Sequence, residues 1–70
     1  MRVSDLSREC SLSPREEEVL QLLARKGTTA EIEEKLFVAR GTVKAHTSRI
    51  YRKLGVHSRE ELYELLGVAE

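Results

Sequence analysis

Apolar side chains fall along this chain at three- and four-residue spacings in four separate runs, with polar residues filling the positions between. Val19, Leu20 and Leu23 share one helical face, with Leu22 on its flank. Ile32 and Leu36 stand four apart. Val43, Thr47, Ile50 and Leu54 lie within a narrow arc at about 3.6 residues per turn. Leu62, Leu65, Leu66 and Ala69 form the last stripe.

The residues between these runs carry start and stop signals. Ser13, Pro14 and Glu16 supply an N-cap, a proline at the first helical position and a capping-box acid. Leu12 precedes the cap and is placed to fold back onto the first turn. Gly27 is expected to close this first helix in the left-handed conformation. Glu16, Glu17 and Glu18 sit at its positive end, and Arg25 and Lys26 at its negative end. A second helix is predicted from about Thr29 to Leu36, capped by Thr28 or Thr29, with Phe37 and Val38 leading into a tight connection. A third runs from about Arg40 to Leu54 and is closed by Gly55. A fourth starts at another capping box, Ser58 to Glu61. Residues 1–11 are polar and lack a clear period. They read as a flexible tail or linker remnant, and residues 12–70 as one domain. The expected fold is all-α with four helices.

Seventy residues allow one small core. No apolar run approaches the roughly 18 residues of a membrane span, and the N-terminus lacks an apolar signal core. The single cysteine, Cys10, forms no internal disulfide. His46, His57 and Cys10 match no zinc spacing, so no metal site is expected. Glu16, Glu17 and Glu18 fan around a helix rather than converge, and no catalytic cleft is expected at this size. The chain reads as a non-enzyme without a cofactor or small-molecule ligand. Tyr51 and Tyr63 are too isolated to make a base-stacking platform.

Charge changes the picture more than composition does. Formal net charge is zero, yet the stretch from Lys35 to Arg59 holds seven Lys or Arg residues and no Asp or Glu. Residues 1–34 carry five bases against eight acids, and residues 60–70 carry four acids. Segregation of this kind suits an element that faces phosphates. The third predicted helix lies inside the acid-free stretch. Opposite its apolar arc stand Gly41, Lys44, Ala45, Ser48 and Arg52, with His46, Arg49 and Lys53 along one flank. A helix built only for solvent would mix in Glu for pairs four residues apart. Small residues beside a lysine instead let the backbone approach a surface closely. Two short helices joined by about three residues, the second with such a face, make a helix-turn-helix. The second helix would cross the DNA backbone, and the third would lie in the major groove.

Three segments, Leu12–Ala24 (LSPREEEVLQLLA), Ala30–Val38 (AEIEEKLFV) and Gly41–Val56 (GTVKAHTSRIYRKLGV), together resemble the LuxR-type helix-turn-helix domain. This module is the DNA-binding part of many bacterial response regulators and quorum-sensing regulators. The resemblance covers about Leu12 to Leu66. It implies a four-helix domain that binds double-stranded DNA as a homodimer, with the third helix as the recognition helix. It implies base reading by Lys44, Ala45 and Ser48. It implies phosphate contacts from Thr28, Thr42, His46, Arg49, Arg52 and Lys53, and a dimer seam through Leu62, Tyr63 and Leu66. It further implies RNA polymerase as a partner and a cytoplasmic, nucleoid-associated location, and leaves a membrane-anchored longer parent open.

Three positions depart from the family pattern. Ala39 stands where a Ser or Thr usually caps the third helix, at an expected cost of about 0.5–2 kcal/mol. Glu33 stands where Ala is usual and is expected to extend outward or pair with Arg49 or Lys53. Ser48 replaces a longer side chain, which leaves Lys44 to dominate direct base readout, with phosphate contacts and DNA shape taking a larger share. Two other readings compete. One is a sigma-factor-like promoter-reading domain, against which the capped fourth helix and its dimer stripe argue. The other is a helical protein–protein interaction module.

Overall fold

Five helices follow one another in the computed structural model, which describes residues 3–67: α1 (Val3–Glu9), α2 (Pro14–Ala24), α3 (Thr29–Leu36), α4 (Arg40–Leu54) and α5 (Arg59–Leu66). The four helices expected from periodicity are α2 to α5, so the predicted third helix is α4. The described residues contain no strand. The all-α expectation holds, with one helix more than expected. Ala69, assigned above to the last apolar stripe, lies outside the described residues.

The additional helix falls where the sequence reads as a tail. Val3–Glu9 makes two turns, and Leu6 is only 3% exposed within the core. Helices of this length are marginal alone, so packing holds α1. It lies against α2, and Val3 adds to the contact. The turn after α1 places Ser11 in the left-handed region (φ 55°), and the Leu12 N–H donates to the Ser7 carbonyl at 2.9 Å.

The capping box of α2 forms as its residues dictate. The Glu16 N–H donates to Ser13 Oγ (3.2 Å), and the Ser13 N–H donates to Glu16 Oε1 (2.9 Å). The other end differs from expectation. Lys26, not Gly27, takes the left-handed conformation (φ 63°). Its N–H donates to the Leu23 carbonyl and that of Gly27 to the Leu22 carbonyl, both at 2.9 Å. This is a Schellman closure one residue earlier than expected. Gly27 is needed for room instead, because a Cβ there would lie 2.9 Å from the Leu22 oxygen.

Helix α3 is capped by Thr28, whose Oγ1 accepts from the Glu31 N–H at 3.2 Å. It ends at Phe37 (φ 55°), where the Val38 N–H donates to the Glu33 carbonyl. Helix α4 spans the expected residues, has no side-chain cap at Ala39, and closes at Gly55 (φ 72°). In α5 the box is only half made. Ser58 Oγ accepts from the Glu61 N–H at 3.2 Å, while the Glu61 carboxylate accepts from the His57 N–H at 2.9 Å.

Helix α4 packs on both α2 and α3. Val19, Leu20 and Leu23 from α2, Ile32 from α3, and Val43 and Ile50 from α4 meet in the core. Val56 in the α4–α5 turn and Leu62 and Leu66 of α5 complete it, with Leu6 on the α1 side. Burying the apolar arc of α4 on two helices forces its opposite face outward, and that face carries the candidate chemistry.

Candidate nucleic-acid interface

Gly41, Thr42, Lys44, Ala45, Ser48, Arg49 and Arg52 are all exposed on α4. Among the described residues, Lys44, Arg49 and Arg52 make no ion pair. Thr47, assigned to the inner arc, is half-buried, and its hydroxyl donates to the Val43 carbonyl at 2.9 Å. The outer face therefore presents three unpaired cations and two free hydroxyls, Thr42 and Ser48, around small side chains.

His46 sits at the edge of this face and is half-buried. Its Nδ1 is buried without a hydrogen-bond partner. A buried N–H with no acceptor is costly, so the neutral ring best carries its hydrogen on Nε2, where it can serve as a donor. Thr28 is exposed, and the hydroxyl that caps α3 keeps its own hydrogen to donate.

The other bases of the acid-free stretch have different partners. Lys53 Nζ donates to Glu16 Oε1 at 2.8 Å and to the Ser11 carbonyl at 3.2 Å. Glu16 is 3% exposed, the one buried charged side chain among the described residues. The Lys53 hydrogen bond, and next the Ser13 N–H, hold its carboxyl below the ordinary value despite burial. Lys53, expected at phosphates, has its ammonium tied to α2 and to the turn after α1 in the free domain. Arg59 is tied as well. Its Nη2 donates to the Gly27 carbonyl at 2.6 Å and its Nη1 to Tyr63 Oη at 2.9 Å, while Lys26 lies 5.7 Å from the centre of the Tyr63 ring. Tyr51 packs beside this cluster, and burial pushes its hydroxyl pKa up.

Glu33 pairs with neither Arg49 nor Lys53. Its Oε1 lies 3.5 Å from Arg40 Nε, at the first residue of α4. Sequence spacing offers no sign of the Arg59 anchor or the Arg40 pair, because both join different helices across a turn or the core.

The residues assigned to a dimer seam are mostly internal. Leu62 is fully buried and Leu66 nearly so, both in the core of their own domain; only Tyr63 reaches the surface, half-buried. A domain this small needs both leucines to close its core. The outward side of α5 carries Glu60, Glu61 and Glu64 instead.

No helix among the described residues is long and apolar enough to cross a membrane. Residues 10–66 match the family described as bacterial regulatory proteins, luxR family. The chain is similar to the oxygen regulatory protein NreC of Staphylococcus aureus strains JH9 and Mu3 / ATCC 700698. Identity is 51% over 53 residues, covering 76% of this chain and 24% of each relative. The chain therefore spans well under half the length of the curated relatives it matches. No solved structure matches it. The family match covers most of the described fold, including the whole helix-turn-helix of α3 and α4, and this chain belongs to the luxR family of bacterial regulatory proteins.

Proposed function

We propose that this domain binds double-stranded DNA sequence-specifically for transcription regulation, as a homodimer with α4 of each copy in a major groove. The observation that carries this reading is the outer face of α4: acid-free, with Lys44, Arg49 and Arg52 unpaired around Gly41, Ala45 and Ser48. Small residues let the helix approach base edges. Lys44 donates to guanine O6 and N7, Ala45 offers a methyl to thymine, and Ser48 a hydroxyl to either type of base pair. Thr28, Thr42, His46, Arg49 and Arg52 supply donors for phosphates. The uncapped N-terminus of α4 adds free N–H groups that favour an anion.

One module of this size makes few contacts, so affinity comes from two copies on two half-sites about 34 Å apart. Tyr63, at the edge of α5, is the residue of the expected seam that can reach a second copy. RNA polymerase is the partner through which bound DNA would be read out. A signal-receiving part belongs to a longer parent, in keeping with relatives about three times as long as this chain, since the 53 matched residues make up 24% of each.

The test retains fragmented genomic DNA on the purified protein across a salt series, sequences what is held, and repeats with Lys44→Ala. A two-fold symmetric motif is expected, blurring at one position per half-site in the variant, with a loss of about 1–3 kcal/mol of discrimination there. Three unpaired cations per copy predict a log–log salt slope of about −5 for the dimer. Absence of salt-dependent retention would overturn the reading.

A further inference from the structure

The bases at the two ends of α4 are held by acids in unlike ways, and the difference assigns a role to Glu33. Near the C-terminal end, Lys53 meets Glu16 at 2.8 Å; the carboxylate side chain is 4% exposed and its oxygen also accepts the Ser13 N–H. That lysine has a second acceptor, the Ser11 carbonyl at 3.2 Å, so two acceptors hold it and one of them is a buried carboxylate. At the N-terminal end, Arg40 and Glu33 stand 3.5 Å apart with side chains 68% and 25% exposed. The distance exceeds that of a good hydrogen bond, and the arginine lies largely in water. Exposed pairs of this kind are weak and readily exchanged for a better partner.

Arg40 is placed to meet such a partner. It precedes Lys44 by four residues, which puts both on the same side of α4, about 6 Å apart along the axis. No side chain caps the helix beside it, and a Cβ on the neighbouring Gly41 would touch nothing within 4 Å. Approach of a phosphate to Arg40 is sterically open. Among the described residues, Glu33 is therefore the carboxylate that holds its α4 cation loosely and leaves it mostly in water, whereas Lys53 is held at 2.8 Å with 38% of its side chain exposed.

We propose that Glu33 is a built-in brake on DNA affinity: it competes with a DNA phosphate for Arg40. The proposal rests on the DNA-binding reading above. In free protein Arg40 rests on Glu33. On DNA the guanidinium must either stay there, leaving one phosphate contact unmade, or leave, exposing an uncompensated carboxylate near the duplex. Either way the sequence-independent part of binding is trimmed, while Lys44, Ala45 and Ser48 are untouched. The brake thus raises the share of affinity that depends on base sequence.

The test measures binding of the full chain to a duplex of random sequence across a salt series, for the native protein, Glu33→Gln, Arg40→Ala and the double variant. Circular dichroism checks that each variant folds. Glu33→Gln is expected to tighten binding up to about fivefold per copy, the equivalent of one exposed ion pair, and to steepen the salt slope by about 0.9. Arg40→Ala in the same chain should cancel both gains. Equal tightening with and without Arg40 would overturn the proposal in favour of plain repulsion between Glu33 and phosphate. Unchanged binding in Glu33→Gln would also overturn it while leaving DNA binding standing. If the native chain itself failed to bind, both readings would fall together.

Discussion

Replacing Glu16 by Gln removes one charge and almost no volume, at a position where a single carboxylate joins two structures. It closes the capping box of α2 and holds Lys53 of α4, 37 residues away in sequence. Glutamine keeps an oxygen that can still accept from the Ser13 N–H, so the substitution isolates the charge. A hydrogen bond to a charged group contributes about 1.5–3 kcal/mol and a neutral one about 0.5–1.5 kcal/mol. The difference predicts a loss of about 1–1.5 kcal/mol. Lys53 is 38% exposed and can turn partly to water, which keeps the loss below the full cost of stranding a buried charge. Total stability for 70 residues is about 3.5–10 kcal/mol. The melting temperature should therefore fall by about 4–12 °C.

The pH dependence carries the sign. The Glu16 carboxyl titrates below 4.5 when folded and near 4.5 when unfolded. The unfolded state thus binds more protons in that range, and the contribution is complete above about pH 4.5 and lost as pH falls through the folded value. Urea denaturation followed by circular dichroism between pH 7 and pH 3 should show the native chain and the variant converging on the acid side. A difference under about 0.3 kcal/mol at pH 7, or one that stays constant down to pH 3, would refute the reasoning.

Other substitutions probe separate parts of the structure. Ala39→Ser should add the missing cap of α4 and stabilise the domain by about 0.5–2 kcal/mol, read from the urea midpoint. Gly27→Ala should destabilise by more than about 1 kcal/mol in thermal melts, because its Cβ would press on the Leu22 carbonyl at 2.9 Å. Leu62→Ala should cost about 2–5 kcal/mol, a large share of the total stability, read from the urea midpoint, since Leu62 is fully buried. A folded Leu62→Ala chain with weakened self-association would instead return that leucine to the dimer seam.

The elements of this domain are written in contacts that reach no more than about five residues. Ser13 with Glu16, Thr28 with Glu31, Ser58 with Glu61 and the glycine after Leu54 mark helix ends through bonds inside one turn, so their spacing alone placed α2 to α5. The arc of Val43 and Ile50 likewise dictated which side of α4 turns outward, and with it the exposure of Lys44, Ala45, Ser48 and Arg52. Even there a local rival could shift the outcome, as when Lys26 rather than Gly27 took the left-handed position. What each charge binds was decided elsewhere. Lys53 reaches Glu16, Arg59 reaches the Gly27 carbonyl 32 residues away, and Arg40 finds Glu33 on the preceding helix. Leu6 becomes core because α2 offers α1 a surface to pack on, and Leu62 turns inward because the other helices leave room for it. Those pairings depend on how the helices cross, and periodicity says which face of a helix is apolar but nothing about which neighbour will meet it.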